Sequence, residues 1–112
     1  MKIYFNDYKE QIKEAAQKRI KTNDYYISSP YYVYNEQQAE AICEVINKRK
    51  YYIDSETGRE YISNPNKKCI AYFSEGNIKT NIDEAIHTFT NTLLNEIQRT
   101  NRGYNLKEAL NY

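Results

Sequence analysis

The sequence predicts an α+β fold: a small single domain in which an antiparallel sheet packs against two or three amphipathic helices. Apolar residues recur at helical spacing in several segments, and a hairpin signal lies between two β-prone runs. The sheet is predicted as a hairpin or meander over roughly residues 50–73. A chain of 112 residues is expected to form one domain, residues 1–112.

The N-terminal segment MKIYF is short, apolar and β-prone, and it is predicted to form the first strand. A helix is predicted over residues 7–20, because apolar side chains recur there every three or four positions. Either Asn6 or Asp7 is expected to cap this helix, since both side chains can accept hydrogen bonds from its first turn.

The stretch TNDYYISSPYYVYN, residues 22–35, holds five tyrosines. Aromatic and β-branched residues favour extended structure, and Pro30 interrupts the run. The pattern therefore predicts two short strands or an extended edge segment, with a break at residues 28–30. Asn35 is predicted to cap the next helix, with Gln38 completing a capping-box pattern.

The segment YYIDSETGREYI carries the hairpin signal. Two β-prone runs flank a loop over residues 54–58, where Gly58 can adopt the positive φ that such loops need. KKCIAYF follows as a predicted third strand of the meander.

The last helix is predicted to begin after Asn81, because Glu84 stands where a capping box requires it. Its apolar side chains form a single stripe, and Gly103 is expected to end it. The stripe consists of Ile82, Ala85, Ile86, Phe89, Leu93 and Ile97.

Several classes of function are poorly supported. No apolar stretch approaches ~18 residues and no apolar segment precedes the first charges, so a cytoplasmic protein without membrane contact is expected. Cys43 and Cys69 are expected to be reduced, buried thiols. The lone His87 and three scattered glycines do not form a metal site, a nucleotide loop or a catalytic motif. No enzyme activity, catalytic residue, metal or cofactor is therefore predicted.

Tyrosine is the most informative residue type. The chain has 13 tyrosines but only three phenylalanines, although codons for both are AT-rich, so the hydroxyl itself is preferred. Tyrosine provides amphipathic contact area at low entropic cost, which favours a binding protein. The hypothesis is a small protein that blocks a surface of a larger host protein or nucleoprotein. Anti-defence (anti-CRISPR-like) inhibitors encoded by phages and mobile elements act in this way. The predicted contact residues are Tyr25, Tyr26, Tyr31, Tyr32, Tyr34 and Tyr52, with Lys48, Arg49 and Lys50 as a polar rim.

Two alternatives stay open. Basic clusters adjoin aromatic residues near positions 18–26, 48–52 and 67–73, a pattern typical of proteins that bind single-stranded nucleic acid or RNA. The near-neutral net charge of +1 does not favour a dedicated duplex-DNA binder. The second alternative is homodimerisation through an edge strand that carries residues 25–34.

Overall fold

The structure is a computed structural model that describes residues 1–22, 31–64, 69–72 and 78–103. These residues form three α-helices and an antiparallel sheet of four strands, which confirms the predicted α+β class. The elements in chain order are β1 (Lys2–Tyr4), a 3-10 helix (Phe5–Tyr8), α1 (Lys9–Lys21), α2 (Glu36–Lys48), β2 (Tyr52–Asp54), β3 (Glu60–Asn64), β4 (Cys69–Tyr72) and α3 (Ile82–Asn101).

The strands lie in the order β1-β2-β3-β4, and each pairs antiparallel with its neighbour. The predicted meander is therefore present, and the N-terminal strand extends it by pairing with β2. The register places Ile3 opposite Ile53 and Tyr52 opposite Tyr61. Since directly opposed residues lie on the same face, this register decides which side chains meet the helices.

The loop between β2 and β3 forms as the sequence predicts. The Gly58 N–H donates to the carbonyl oxygen of Asp54 at 2.8 Å, and the Asp54 carboxylate accepts from the N–H of Glu56 at 2.9 Å. Gly58 has φ +72°, in the left-handed region that side chains with a Cβ rarely adopt.

We expect Gly58→Ala to lower the free energy of unfolding by roughly 2 kcal/mol. A Cβ at this position would lie 2.5 Å from the Ile78 carbonyl oxygen, so the backbone itself would have to move. Gly103→Ala is the matched control, because Gly103 also has a positive φ (+99°) but its Cβ would meet nothing within 4 Å. Urea unfolding should show the larger loss at position 58; equal losses would mean that the steric contact with Ile78 contributes nothing.

Two of the three predicted helix caps are confirmed. The side chain of Asn35 accepts from Gln38 N at 2.9 Å, and that of Asn81 accepts from Glu84 N at 2.8 Å. The prediction that Asn6 or Asp7 caps the first helix is wrong. Both residues lie inside the 3-10 helix, and Tyr8 precedes α1 without a capping side chain.

The core lies between the sheet and the three helices. The 3-10 helix inserts Phe5 into it, where the ring packs edge-on against Phe89 of α3 with centroids 5.5 Å apart. Tyr51 completes the group, 4.9 Å from Phe89. This aromatic trio joins the start of the chain, the entry to β2 and the centre of α3. Its aliphatic neighbours include Ile3, Ile12, Ile42, Cys43, Ile46, Ile53, Ile62, Leu93, Leu94 and Ile97.

Candidate functional site

A row of tyrosines crosses the sheet in register. Tyr4 of β1 is opposite Tyr52 of β2, and Tyr52 is in turn opposite Tyr61 of β3. The backbone register continues to β4, where Tyr72 is the partner of Tyr61. Each of the four strands therefore contributes a tyrosine to the same line across the sheet.

The side chains of Tyr4, Tyr52 and Tyr61 lie on the face of the sheet turned away from the helical core. The residues next to it in β1 and β2, Ile3 and Ile53, are buried in the core cluster that all three helices share. Side chains alternate between the two faces of a strand, so Tyr4 and Tyr52 point to the other face. Tyr52 accordingly lies outside that cluster although only 9% of it is exposed. We call Lys2, Tyr4, Tyr52 and Tyr61 the tyrosine face.

The rings of the tyrosine face cover one another. Tyr52 and Tyr61 are stacked, with centroids 5.0 Å apart and planes inclined by 13°, and Tyr4 lies 5.3 Å from Tyr52 at a 43° tilt. The Lys2 ammonium lies 5.1 Å from the Tyr52 ring centroid, within the range of a cation–π contact. A nucleic-acid base could stack on Tyr52 only by displacing one of these neighbours. Tyr4, at the edge of the row, is 37% exposed.

The segment over residues 31–34, which the sequence marked as a binding anchor, is not a strand. It has no regular secondary structure, and the burial of its side chains alternates: Tyr32 and Tyr34 pack against the core, whereas Tyr31 and Val33 are 39% and 62% exposed. The exposed and packed residues therefore follow the parity expected of an extended chain. We call residues 31–34 the α3 strap.

The strap is fixed to the C-terminal end of α3 by polar contacts. Asn101 Nδ2 donates to the Tyr31 carbonyl oxygen at 2.6 Å, and the Tyr32 hydroxyl donates to Gln98 Oε1 at 3.0 Å. The Arg102 guanidinium lies 5.0 Å from the centroid of the Tyr31 ring. The Tyr31 carbonyl oxygen and the Tyr32 hydroxyl therefore already have hydrogen-bond partners within the protein.

Tyr34 belongs to an ionic network between α1 and α2. Its hydroxyl donates to Glu36 Oε2 at 2.7 Å, while the buried Lys13 ammonium lies 2.8 Å from Glu36 and 2.6 Å from Glu40. Burial and the Glu36 hydrogen bond raise the pKa of Tyr34. Hydrogen bonds from Lys13 and then Lys9 lower the pKa of Glu40 to about 2. The Tyr34 hydroxyl is therefore occupied by Glu36, one of the carboxylates that pair with Lys13 of α1.

The basic residues at the end of α2 divide into two groups. Arg49 is buried, at 6% exposure, and its Nε donates to the Ser63 carbonyl oxygen at 2.9 Å. The prediction of Arg49 as part of an exposed rim is thus corrected, because its side chain turns inward to β3. Lys48 and Lys50 are exposed, and Lys50 has a positive φ of 53°. Tyr25 and Tyr26 lie outside the described residues.

The described residues that the sequence offered as candidates for chemistry, Cys43 and His87, lie in different environments. Cys43 is a free thiol in the core, and burial raises its pKa to about 12, whereas the Cys69 side chain lies outside the described part of the chain. His87 is exposed on α3. Within the described ranges, no three His, Cys, Asp or Glu side chains are grouped for a metal ion, and no helix is long and apolar enough to cross a bilayer.

Comparisons with protein-family models, curated proteins and solved structures find no match for this chain. The candidate site therefore rests on the geometry of its own residues. Of the predicted contact residues, the structure places Tyr52 on the tyrosine face and Tyr31 and Tyr32 on the α3 strap. Tyr34 also lies on the strap. Among the residues that define the tyrosine face, the sequence pattern had singled out Tyr52 and Tyr61 for an interface, but not Tyr4.

Proposed function

We propose that this chain is a small non-enzymatic binding protein whose tyrosine face docks on, and thereby blocks, a surface of a larger protein. The observation that carries the proposal is the row of tyrosine rings in cross-strand register on the face away from the core. Tyrosine is enriched at protein-binding hot spots because it combines apolar area with a hydrogen-bonding end. Since the sheet already fixes these rings, little side-chain entropy is lost when a partner binds.

The charges of this face indicate the kind of partner. The one cation among the described residues that define this face, Lys2, has the acidic Asp54 as its register partner, so the charges of this pair sum to zero. The partner surface is therefore expected to be largely uncharged, with apolar groups and hydrogen-bond acceptors for the phenols. Blocking needs only a standard interface of ~800 Å² per partner. The setting that the sequence favours, a phage or mobile-element inhibitor of a host defence protein, fits such a blocking role.

A protein partner is favoured over single-stranded nucleic acid because the faces of the aromatic rings beside the basic residues are covered. Base binding requires open ring faces beside phosphate-facing cations. At the basic cluster of residues 48–50, the following Tyr51 is only 3% exposed and packs on Phe89, and Tyr52 is covered by its stacked neighbours. The other two basic–aromatic junctions involve residues outside the described ranges.

Two matched substitutions test which tyrosine surface binds. Tyr4 and Tyr31 are almost equally exposed, at 37% and 39%, but Tyr4 lies on the tyrosine face and Tyr31 on the α3 strap. We expect Tyr4→Ala to weaken capture of a protein from host lysate at least ~10-fold, as hot-spot losses do. Tyr31→Ala should leave capture within ~3-fold. Capture is measured by quantitative pull-down, with circular dichroism confirming that both variants fold.

Nuclease treatment and salt separate the remaining outcomes. A tyrosine-centred protein interface should survive nuclease and change little between ~50 and ~200 mM salt, whereas phosphate binding should weaken steeply over that range. Fluorescence anisotropy with a labelled single strand of ~12 nucleotides completes the test. Tight strand binding that Tyr4→Ala removes would overturn the protein-binding proposal. Loss of capture only in Tyr31→Ala would move the site to the α3 strap.

A further inference from the structure

Within the described part of the chain, the outer edge of β1 presents backbone groups that do not bond to β2, in a defined pattern. Met1 O accepts from Ser55 N at 2.8 Å, and Phe5 N donates to Tyr51 O at 3.0 Å, so these odd-numbered residues bond to β2. In an antiparallel ladder the residues between them point their N–H and C=O groups the other way. The N–H and C=O groups of Lys2 and Tyr4 therefore face away from β2, at the β1 edge of the sheet. The Tyr4 carbonyl oxygen also accepts the first hydrogen bond of the 3-10 helix, because Tyr4 is the N-cap of that helix.

This edge is complementary to a second copy of itself. When two β1 strands meet antiparallel around a two-fold axis at Ile3, Lys2 of each copy stands opposite Tyr4 of the other. In each such pair the Tyr4 N–H can donate to the free Lys2 carbonyl oxygen of the other copy. The Lys2 N–H can donate to the Tyr4 carbonyl oxygen, which uses its second lone pair because, as the N-cap of the 3-10 helix, it already accepts the first bond of that helix. We propose that the chain forms a symmetric dimer by pairing β1 with β1 of a second copy, which joins the two sheets into one. A two-fold contact of this kind closes on itself and does not propagate.

The side chains at the edge support this register. A lysine on an edge strand ordinarily opposes strand addition, because its charge would be placed against the incoming strand. In the proposed register each Lys2 lies beside the exposed Tyr4 ring of the other copy, and the two lysines are not opposite one another. The Lys2 ammonium already makes a contact of this type, 5.1 Å from the Tyr52 ring centroid. The dimer would repeat that cation–π contact across the axis.

Amide exchange of the unaltered protein is the first test. A β1 of only three residues limits the contact to few hydrogen bonds, so the association is weak, and measurements must span about 10 µM to 1 mM protein. We expect the Lys2 and Tyr4 amides to become protected as concentration rises, at least ~5-fold over this range. The Ile3 amide, which faces β2, should be slow to exchange at every concentration. Unchanged exchange of Lys2 and Tyr4 up to about 1 mM would overturn the proposal.

Sedimentation equilibrium with two variants at one position provides the second test. Lys2→Ala and Lys2→Pro both lose the lysine side chain, but only the proline lacks the outward N–H. Because that N–H makes no bond to β2, the monomer should keep its ladder in both variants. We expect the dimer of Lys2→Pro to be at least ~10-fold weaker than that of Lys2→Ala. Equal dimerisation of the two variants would show that another surface joins the copies, and the β1 assignment would be wrong.

Discussion

Phe89→Ala is expected to lower the free energy of unfolding by about 3–5 kcal/mol, a larger loss than we expect from Gly58→Ala or from truncating an exposed side chain. Phe89 is fully buried at the centre of α3, and its ring is an edge-to-face neighbour of both Phe5 and Tyr51. The substitution therefore removes buried apolar area and leaves a cavity at the point where the helices meet the sheet. Since whole domains of this size are stable by roughly 5–15 kcal/mol, one such cavity removes a large share.

Urea unfolding followed by circular dichroism measures this loss. Phe89→Leu provides a milder variant that retains most of the apolar volume, so a measurable midpoint remains even where alanine unfolds the domain. Ile82→Ala is the control on the same helix, because Ile82 is 39% exposed and its loss should cost less than ~1 kcal/mol. Comparable losses at positions 82 and 89 would contradict the placement of the aromatic trio at the centre of the core.

The elements defined by local chemistry could be predicted from the sequence. Asn81 and the apolar stripe specify where α3 begins and which face it buries, and the observed helix ends just before Gly103, which has the positive φ expected of a helix terminator. The hairpin loop is specified by Gly58, because its φ of +72° lies in a region that residues with a Cβ rarely adopt. In both cases the decisive residues are within a few positions of the structure that they determine.

The tyrosine face depends on pairings between distant segments, and this is why the sequence pattern did not reveal it. Tyr52 and Tyr61 could have been paired from the length of the hairpin loop alone, since a register through Ile53 and Glu60 places them opposite each other. Tyr4 could not have been added to this pair, because no residue near it in the sequence indicates that β1 pairs with β2. The prediction was limited because β1 and β2 are far apart in the sequence, and local propensity does not show which distant strands pair.

Tertiary packing overrode propensity at two places: residues 31–34 do not form the strand that was one of two alternatives predicted there, and Arg49 does not lie on the predicted rim. Residues 31–34 have strand composition, yet they cross α3, where Asn101 binds their backbone and Tyr32 reaches Gln98. Arg49 reads as a surface cation at the end of a helix, but its guanidinium is drawn to the Ser63 carbonyl oxygen of β3. Amphipathic side chains such as Tyr and Arg are the ones whose placement a periodic pattern decides least well.

Glu96 is a buried acid whose environment makes folding sensitive to pH. Only 2% of this residue is exposed, and its Oε2 has no hydrogen-bond partner among the described residues. Burial raises its pKa from an ordinary 4.5 to about 7, and the positive charges of Arg99 and Arg49 only partly oppose that rise. The ionised carboxylate is thus less stable in the folded chain than in water, where the unfolded chain exposes it.

The direction of the pH effect follows from proton binding. Between pH 4.5 and 7 the folded state holds the Glu96 proton that the unfolded state has released, so the free energy of unfolding falls as pH rises across this window. Above pH 7 both states are ionised and the penalty is complete. Because glutamine has nearly the same shape and no charge, Glu96→Gln removes the penalty. We expect this variant to be more stable than the unaltered protein by about 2–3 kcal/mol near pH ~8 and nearly equal to it near pH ~4.5.

Urea unfolding at pH values of about 4.5, 6 and 8 measures the difference between the two proteins across the window in which Glu96 titrates. Glu44→Gln is the control, because Glu44 is an exposed acid on α2 and its substitution should change stability by no more than ~0.5 kcal/mol. A Glu96→Gln effect that is the same at all three pH values would place the cause in lost contacts and not in ionisation. A gain confined to the upper two values would show that ionisation of the buried Glu96 carboxylate, whose Oε2 has no hydrogen-bond partner among the described residues, lowers the stability of the fold.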